Sequence, residues 1–170
     1  MILYLNGEVG PEMSAALAQY LNTLKEGEHL DIYFMSEGGY LNDTFVILDM
    51  INRNSSKITL RAFGEIASAG FIIFFAATCP KFIMNYTIGM AHYASMFVPS
   101  NQAGEVPDDG YATFAYTQLL TSKDEFIAFY KSTGMNKKEM DLLKKGKDVM
   151  FSTERLNELL QWQQKQKRTA

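Results

Sequence analysis

The chain has 170 residues, 47% of them hydrophobic, and a formal net charge of −3. That is enough apolar material for one full-sized core and too much for a disordered or fibrous chain, and without a dense basic stripe nucleic acid is not expected as a partner. The single cysteine, Cys79, excludes an internal disulfide and a cysteine-rich zinc cluster; it is expected to be a small buried residue.

The opening "MILYLNGEVG" has no basic residues ahead of its apolar ones and no small-residue cleavage site, so no signal peptide is read and a cytoplasmic location is expected. Within it "ILYL" predicts a strand closed by the Asn6-Gly7 turn. From Pro11 to Lys25, Met13, Ala16, Leu17, Tyr20, Leu21 and Leu24 recur at helical spacing, with Pro11 in the first turn. "LDIYFMS" predicts a second strand, buried on both faces by its continuous apolarity, and Gly38-Gly39 ends it before a helix from about Asn42 to Asn52. "KITLRAF" predicts a third strand, Ala67 to Ala77 a third helix, and "KFIMNYTIGMAH" two short strands or one strand with a bend. Strands alternating with helices imply an α/β fold with a parallel sheet and right-handed crossovers. The longest apolar run, Ile66 to Ala77, has about a dozen residues against the roughly 20 that a spanning helix needs, so no membrane partner is expected.

"VPSNQAGEVPDDGY" reads as a flexible insertion too short to separate domains. The stretch after it, Tyr111 to Ser132, has apolar positions at helical spacing and is closed by Gly134, which predicts a long helix projecting from the core and in need of a partner. The tail "QWQQKQKRTA" is polar and expected to fray. There is no internal repeat, and residues 1–170 are expected to form one domain with an inserted segment at about 98–134.

Chemistry concentrates in three places. Gly38-Gly39 serves a tight strand-to-helix turn, or brings bare backbone N–H groups up to a ligand as an anion nest. Ser68, in "FGEIASAGF", either caps a helix start or lies exposed as a nucleophile where small neighbours and the helix N-terminus favour developing negative charge. Glycine follows Ser68 by two positions but Ile66 precedes it by two, so the G-x-S-x-G elbow of α/β-hydrolases is not met. Of the two histidines, His29 lies in the charged turn "KEGEHLD" and is expected in solvent. His92 follows the apolar strand "YTIGMA", where strand ends of α/β proteins build sites; its alternative is a satisfied core histidine.

The chain resembles the ClpP family, the proteolytic subunit of the Clp protease, within the wider ClpP/crotonase fold group, over almost its whole length. "ILYLNGEV" is similar to the family's first strand and turn, "LDIYFMSEGG" to its strand ending in a serine-proline-glycine-glycine loop, and "GEIASAGF" to its nucleophile segment. "GMAHYA" is similar to the segment around the catalytic histidine, and "KDVMFSTERLNE" to the motif that carries the catalytic aspartate. The resemblance implies a spiral core of repeated β-β-α units with a projecting handle helix. It implies a serine endopeptidase with Ser68, His92 and Asp148 as its triad, the backbone N–H groups of Gly39 and Ala69 as oxyanion hole, and no metal or organic cofactor. It further implies a peptide or unfolded protein as substrate and a heptameric ring, stacked in pairs as a tetradecamer; a compact chain of this kind suits a phage-type member.

Some positions depart from the family pattern. Glu37 stands in place of proline, Ala69 in place of methionine, and Tyr93-Ala94 in place of glutamine-proline, none of them a reacting side chain. The chain starts at the family's first core strand, ahead of which the family carries a segment for axial loops and ATPase docking, so a Clp-type ATPase is not expected as partner. Asp141 competes with Asp148 for the triad, but Asp148 precedes the apolar "VMF", able to hold it inward, whereas Asp141 lies within the helical pattern "NKKEMDLLKK". Two other functions share this frame: a crotonase-like acyl-CoA enzyme, which normally works with carboxylates and binds a nucleotide, and a catalytically degenerate assembly subunit.

Overall fold

A computed structural model describes residues 1–93 and 123–169 of the chain. In chain order the elements are β1 (Ile2–Asn6), α1 (Pro11–Thr23), β2 (Leu30–Ser36), α2 (Leu41–Arg53), a single 3-10 turn (Ser55–Lys57), β3 (Ile58–Ala67), α3 (Ala69–Ala76), β4 (Lys81–Ile83) and β5 (Ile88–Ala91). Beyond residue 122 come α4 (Lys123–Ser132), α5 (Lys137–Lys144), β6 (Val149–Phe151) and α6 (Thr153–Thr169). The result is a mixed α/β fold around one six-stranded sheet, ordered β1-β2-β3-β5-β6 with β4 paired to β3.

The strands β1 to β5 pair in parallel, as strands joined by helices do. The last pair, β5 with β6, is antiparallel, with Gly89 opposite Phe151 and Ala91 opposite Val149. Alternate residues of β1 and β2 enter the core: Leu3, Leu5, Leu30, Ile32 and Phe34 are buried. The other face of β2 (Asp31, Tyr33, Met35) is only half-buried, which corrects the expectation of burial on both faces. It is the side-chain period of two that separates these faces, and the outer one carries a cluster in which Tyr4 and Tyr33 stack at 5.1 Å and Phe63 meets both edge-on. On the same face Arg61 pairs with Asp31 at 2.8 Å and lies over the Phe82 ring.

Residues of α3 from Ala69 to Phe75 are all buried, as a helix apolar on every side must be. It packs with α2 on one flank, and Phe71 meets Phe151 of β6 and Tyr130 of α4.

One local device decides where the site lies. β3 is longer than "KITLRAF" predicts: it continues through Gly64-Glu65-Ile66 to Ala67, so the third helix begins at Ala69. The register against β2 slips between Phe34 and Ser36, where Phe34 faces Ala62 but Ser36 faces Ile66. Such a bulge bends the strand, and Gly64 at φ +62° sits in it with no room for a β-carbon beside the Met35 sulfur. Upstream of the bend β3 pairs with β4, downstream with β5.

The described part of the long-helix prediction, Lys123–Ser132, is helical and Gly134 at φ +88° follows it; its remainder and the insertion lie outside the described residues. The tail does not fray as expected but stays helical to Thr169. Trp162 lies against Gly134, where a β-carbon would meet the indole at 2.8 Å, and Gln163 donates to the Phe75 carbonyl. Between these helices Arg155 grips both carboxylate oxygens of Glu139 at 2.8 Å. Glu139 also closes a capping box with Asn136 at the start of α5. Burial alone would raise the Glu139 carboxyl, but the Arg155 guanidinium and the Asn136 N–H outweigh it and hold it below the usual range. Cys79 is buried, as expected, and burial pushes its thiol up. Among the described residues no helix is long and apolar enough to cross a membrane.

Candidate active site

Ser68 is the single residue between β3 and α3, and it stands at φ +52°, ψ −118°, a region that residues with a β-carbon rarely enter. Its backbone is held on both sides: the Ser68 N–H donates to the Met90 carbonyl at 2.9 Å, extending the β3–β5 pairing by one residue, and its carbonyl accepts the first helical bond from Ile72. At this cap position the hydroxyl makes no capping hydrogen bond. Ser68 Oγ lies 2.7 Å from His92 Nε2 instead.

His92 follows the last residue of β5, and Asp148 precedes the first residue of β6. Because Ala91 faces Val149 across an antiparallel ladder, His92 and Asp148 are the next opposed positions, with side chains on one face. The distance from His92 Nδ1 to Asp148 Oδ1 is 3.4 Å, with the two side chains 30% and 63% exposed. With its proton on Nδ1, the imidazole can donate to the carboxylate and accept from Ser68. Asp141 is elsewhere, exposed on α5 beside Lys137, Lys138 and Lys145 around a surface cleft. His29 is exposed and meets Thr59 Oγ1 at 2.8 Å.

The glycine pair faces Ser68 from the end of β2. Gly38 has φ +116°, and a β-carbon there would stand 2.7 Å from Ser68 Cβ. Gly39, at φ +149°, packs its Cα against the Val9 carbonyl so tightly that a β-carbon would collide with it. The loop is held by Val9 N–H donating to Gly38 at 2.7 Å and Tyr40 N–H donating to Val9 at 2.8 Å. Among the described residues the N–H groups of Gly39 and Ala69 have no acceptor, which leaves two donors able to take an anionic oxygen. Gly70 lets the first turn of α3 approach β2, since a β-carbon there would meet the Ser36 carbonyl oxygen at 2.8 Å.

Two further residues brace this site. Ser36 is buried, and its hydroxyl accepts from the Gly38 N–H at 3.1 Å, bracing the loop; a serine ending a strand before two glycines was a faint pointer to such a turn. Tyr130 of α4 is also buried and donates from its hydroxyl to the His92 carbonyl at 2.6 Å. Burial, and then the neighbouring Tyr93, push this phenol well above its usual range, so it stays a donor. In the sequence Tyr130 was one more apolar position of an amphipathic helix.

A family model described as Clp protease matches residues 1–141, ending short of Asp148. Among solved structures, a point mutant of ClpP1 from Listeria monocytogenes superposes with a TM-score of 0.70 over 93% of this chain and 86% of that one, at 19% sequence identity. An identity that low speaks for a shared fold. No curated protein matches the chain in sequence.

Proposed function

The chain belongs to the Clp protease family, and from that premise we propose that it is a serine endopeptidase working through Ser68, His92 and Asp148. The observation that carries this reading is the 2.7 Å contact of Ser68 Oγ with His92 Nε2, made by a serine whose oxygen caps nothing.

A serine hydroxyl is a weak nucleophile at neutral pH and needs a base within hydrogen-bond reach. Ser68 Oγ attacks the peptide carbonyl carbon while His92 Nε2 takes its proton. Asp148 keeps the other ring proton on Nδ1 and stabilises the imidazolium that forms. The carbonyl oxygen becomes an oxyanion next to Ser68, in reach of the Gly39 and Ala69 N–H groups; such donors are worth about 3 kcal/mol each in comparable sites. Collapse breaks the C–N bond, the departing amine takes the proton from His92, and an acyl-enzyme ester on Ser68 remains. Water, deprotonated by the same imidazole, then hydrolyses the ester and restores the hydroxyl. No step calls for a metal or an organic cofactor.

In this reading the substrate is a peptide or unfolded protein, and the chain acts as a self-assembled heptameric ring, stacked as a tetradecamer, in the cytoplasm. Exposed Tyr4, Tyr40, Phe45 and Tyr86 supply apolar surface for such contacts. A fluorophosphonate probe tests the chemistry, because only an activated serine reacts with it. Labelling of the parent and none of Ser68→Ala is expected; an unlabelled parent would sink the proposal and leave the degenerate subunit or the acyl-CoA enzyme.

A further inference from the structure

We infer that Tyr130 is a positioning residue for His92, holding the histidine's backbone so that its imidazole stays in reach of Ser68. The inference rests on the serine-peptidase reading above and names a part that reading does not use. His92 lies one residue beyond the last β5–β6 pair, Ala91 with Val149, so among the described residues no ladder bond fixes its carbonyl. Among the described residues the Tyr130 hydroxyl is the group that donates to that carbonyl, at 2.6 Å and from 38 residues along the chain. The direction in which the imidazole leaves the backbone depends on the dihedrals at the His92 Cα, and a fixed carbonyl fixes one of them. Released, the peptide plane can turn and lengthen the 2.7 Å contact with Ser68 Oγ.

The same side chain also touches the nucleophile's element. The Tyr130 ring lies 6.1 Å from Phe71, in the first turn of α3 directly after Ser68, and 6.5 Å edge-on from Tyr93, the residue after His92. Tyr130 therefore bridges the backbone of the base and the helix of the nucleophile, and α4 carries the bridge. A phenylalanine would fill this fully buried place as well, and burying a hydroxyl is costly unless it is bonded. The hydroxyl is explained by the carbonyl it holds.

The test compares Tyr130→Phe with Phe126→Leu in the full chain, using a fluorogenic peptide and a fluorophosphonate that also titrates active sites. Phe126 is buried in α4 but makes no bond to His92, so its truncation loosens the same helix by packing alone. Expected for Tyr130→Phe is a kcat per titrated site about tenfold lower at unchanged KM, with the labelling rate lowered by the same factor. For Phe126→Leu a comparable drop in thermal midpoint is expected with kcat per site unchanged. A labelled parent whose Tyr130→Phe variant keeps its kcat per site, or loses no more than Phe126→Leu does, overturns the positioning role alone. A parent that is not labelled overturns the serine-peptidase reading and the positioning role with it.

Discussion

Ser68 holds a backbone conformation that costs of order 1–3 kcal/mol for a residue with a β-carbon, so its side chain and its strain can be separated. Ser68→Ala is expected to lose peptide hydrolysis to within a small residue of the parent rate while melting where the parent melts. Ser68→Gly should be equally inactive but more stable than Ser68→Ala by about 1 kcal/mol, because glycine enters φ +52°, ψ −118° freely. Equal melting of the two would show that the turn is not strained. Asp148 stands beside the imidazole but exposed to solvent, not held inward as the "VMF" run suggested, and Asp148→Asn is expected to lower kcat by between about 10² and 10⁴ through the wrong histidine tautomer. Asp141→Asn, on the far cleft, should leave kcat alone; the reverse outcome would move the third role to Asp141. At this scale the sequence pointed to Ser68 and His92 because a residue type and a motif coincide there, and the structure brings the two side chains to 2.7 Å. The choice between Asp148 and Asp141 turned on the "VMF" run, and its geometric meaning, an opposed pair at a ladder's end, needed the antiparallel pairing that the sequence does not display. Tyr130 was invisible because its hydroxyl bonds to a backbone atom, and any residue could supply that acceptor.

The Gly38-Gly39 turn faces Ser68 from the end of β2, and the bent end of β3 leads into Ser68 from the other side. Gly38→Ala combines a β-carbon 2.7 Å from Ser68 Cβ with a φ of +116°, so it is expected to abolish fluorophosphonate labelling while circular dichroism still reports the α/β fold. Labelling at the parent rate would mean that the loop does not set the place of Ser68. At the far end of α3 sits a different constraint. Lys81, on β4, is buried and donates to the Phe75 carbonyl at 2.9 Å, close to the Phe74 and Phe75 rings. Burial, and then the charge of Lys167, lower its amine from an ordinary 10.5 to about 7, with Cys79 opposing. Between those values the unfolded chain holds a proton that the folded chain lacks, so stability is expected to rise with pH across that window, by up to about 1.4 kcal/mol per unit. Lys81→Met should flatten that rise, since Gln163 still donates to the Phe75 carbonyl; denaturant titrations at several pH values would read it, and an unchanged slope would refute the assignment. At the scale of elements, the order of strands and helices up to β5 was legible from periodicity and glycine turns. What escaped had tertiary causes. β3 ran on through Gly64 because β5 pairs with its bent end, and the polar tail stayed helical because Trp162 and Gln163 dock on Gly134 and Phe75.

At the scale of the molecule, several large apolar side chains of the described residues face solvent. Tyr4 is 62% exposed, Met150 63% and Tyr86 91%, and apolar surface of this kind is what a partner subunit covers. Light scattering at micromolar protein is expected to report a closed oligomer, and a stable monomer would overturn the ring. The last feature to follow outward is the short β5–β6 ladder. The pairs of β1 with β2 and of β2 with β3 join residues about thirty positions apart, whereas Gly89 meets Phe151 across roughly twice that span of chain. Contacts between distant positions close late when a chain folds. In a refolding experiment the amides of β1 to β3 should therefore gain protection from exchange first, while His92 and Asp148 meet only when the last strand arrives. The protein would pass through a stage that is folded by spectroscopy yet silent toward a fluorophosphonate, so that a newly made chain acquires its shape before its capacity to cut.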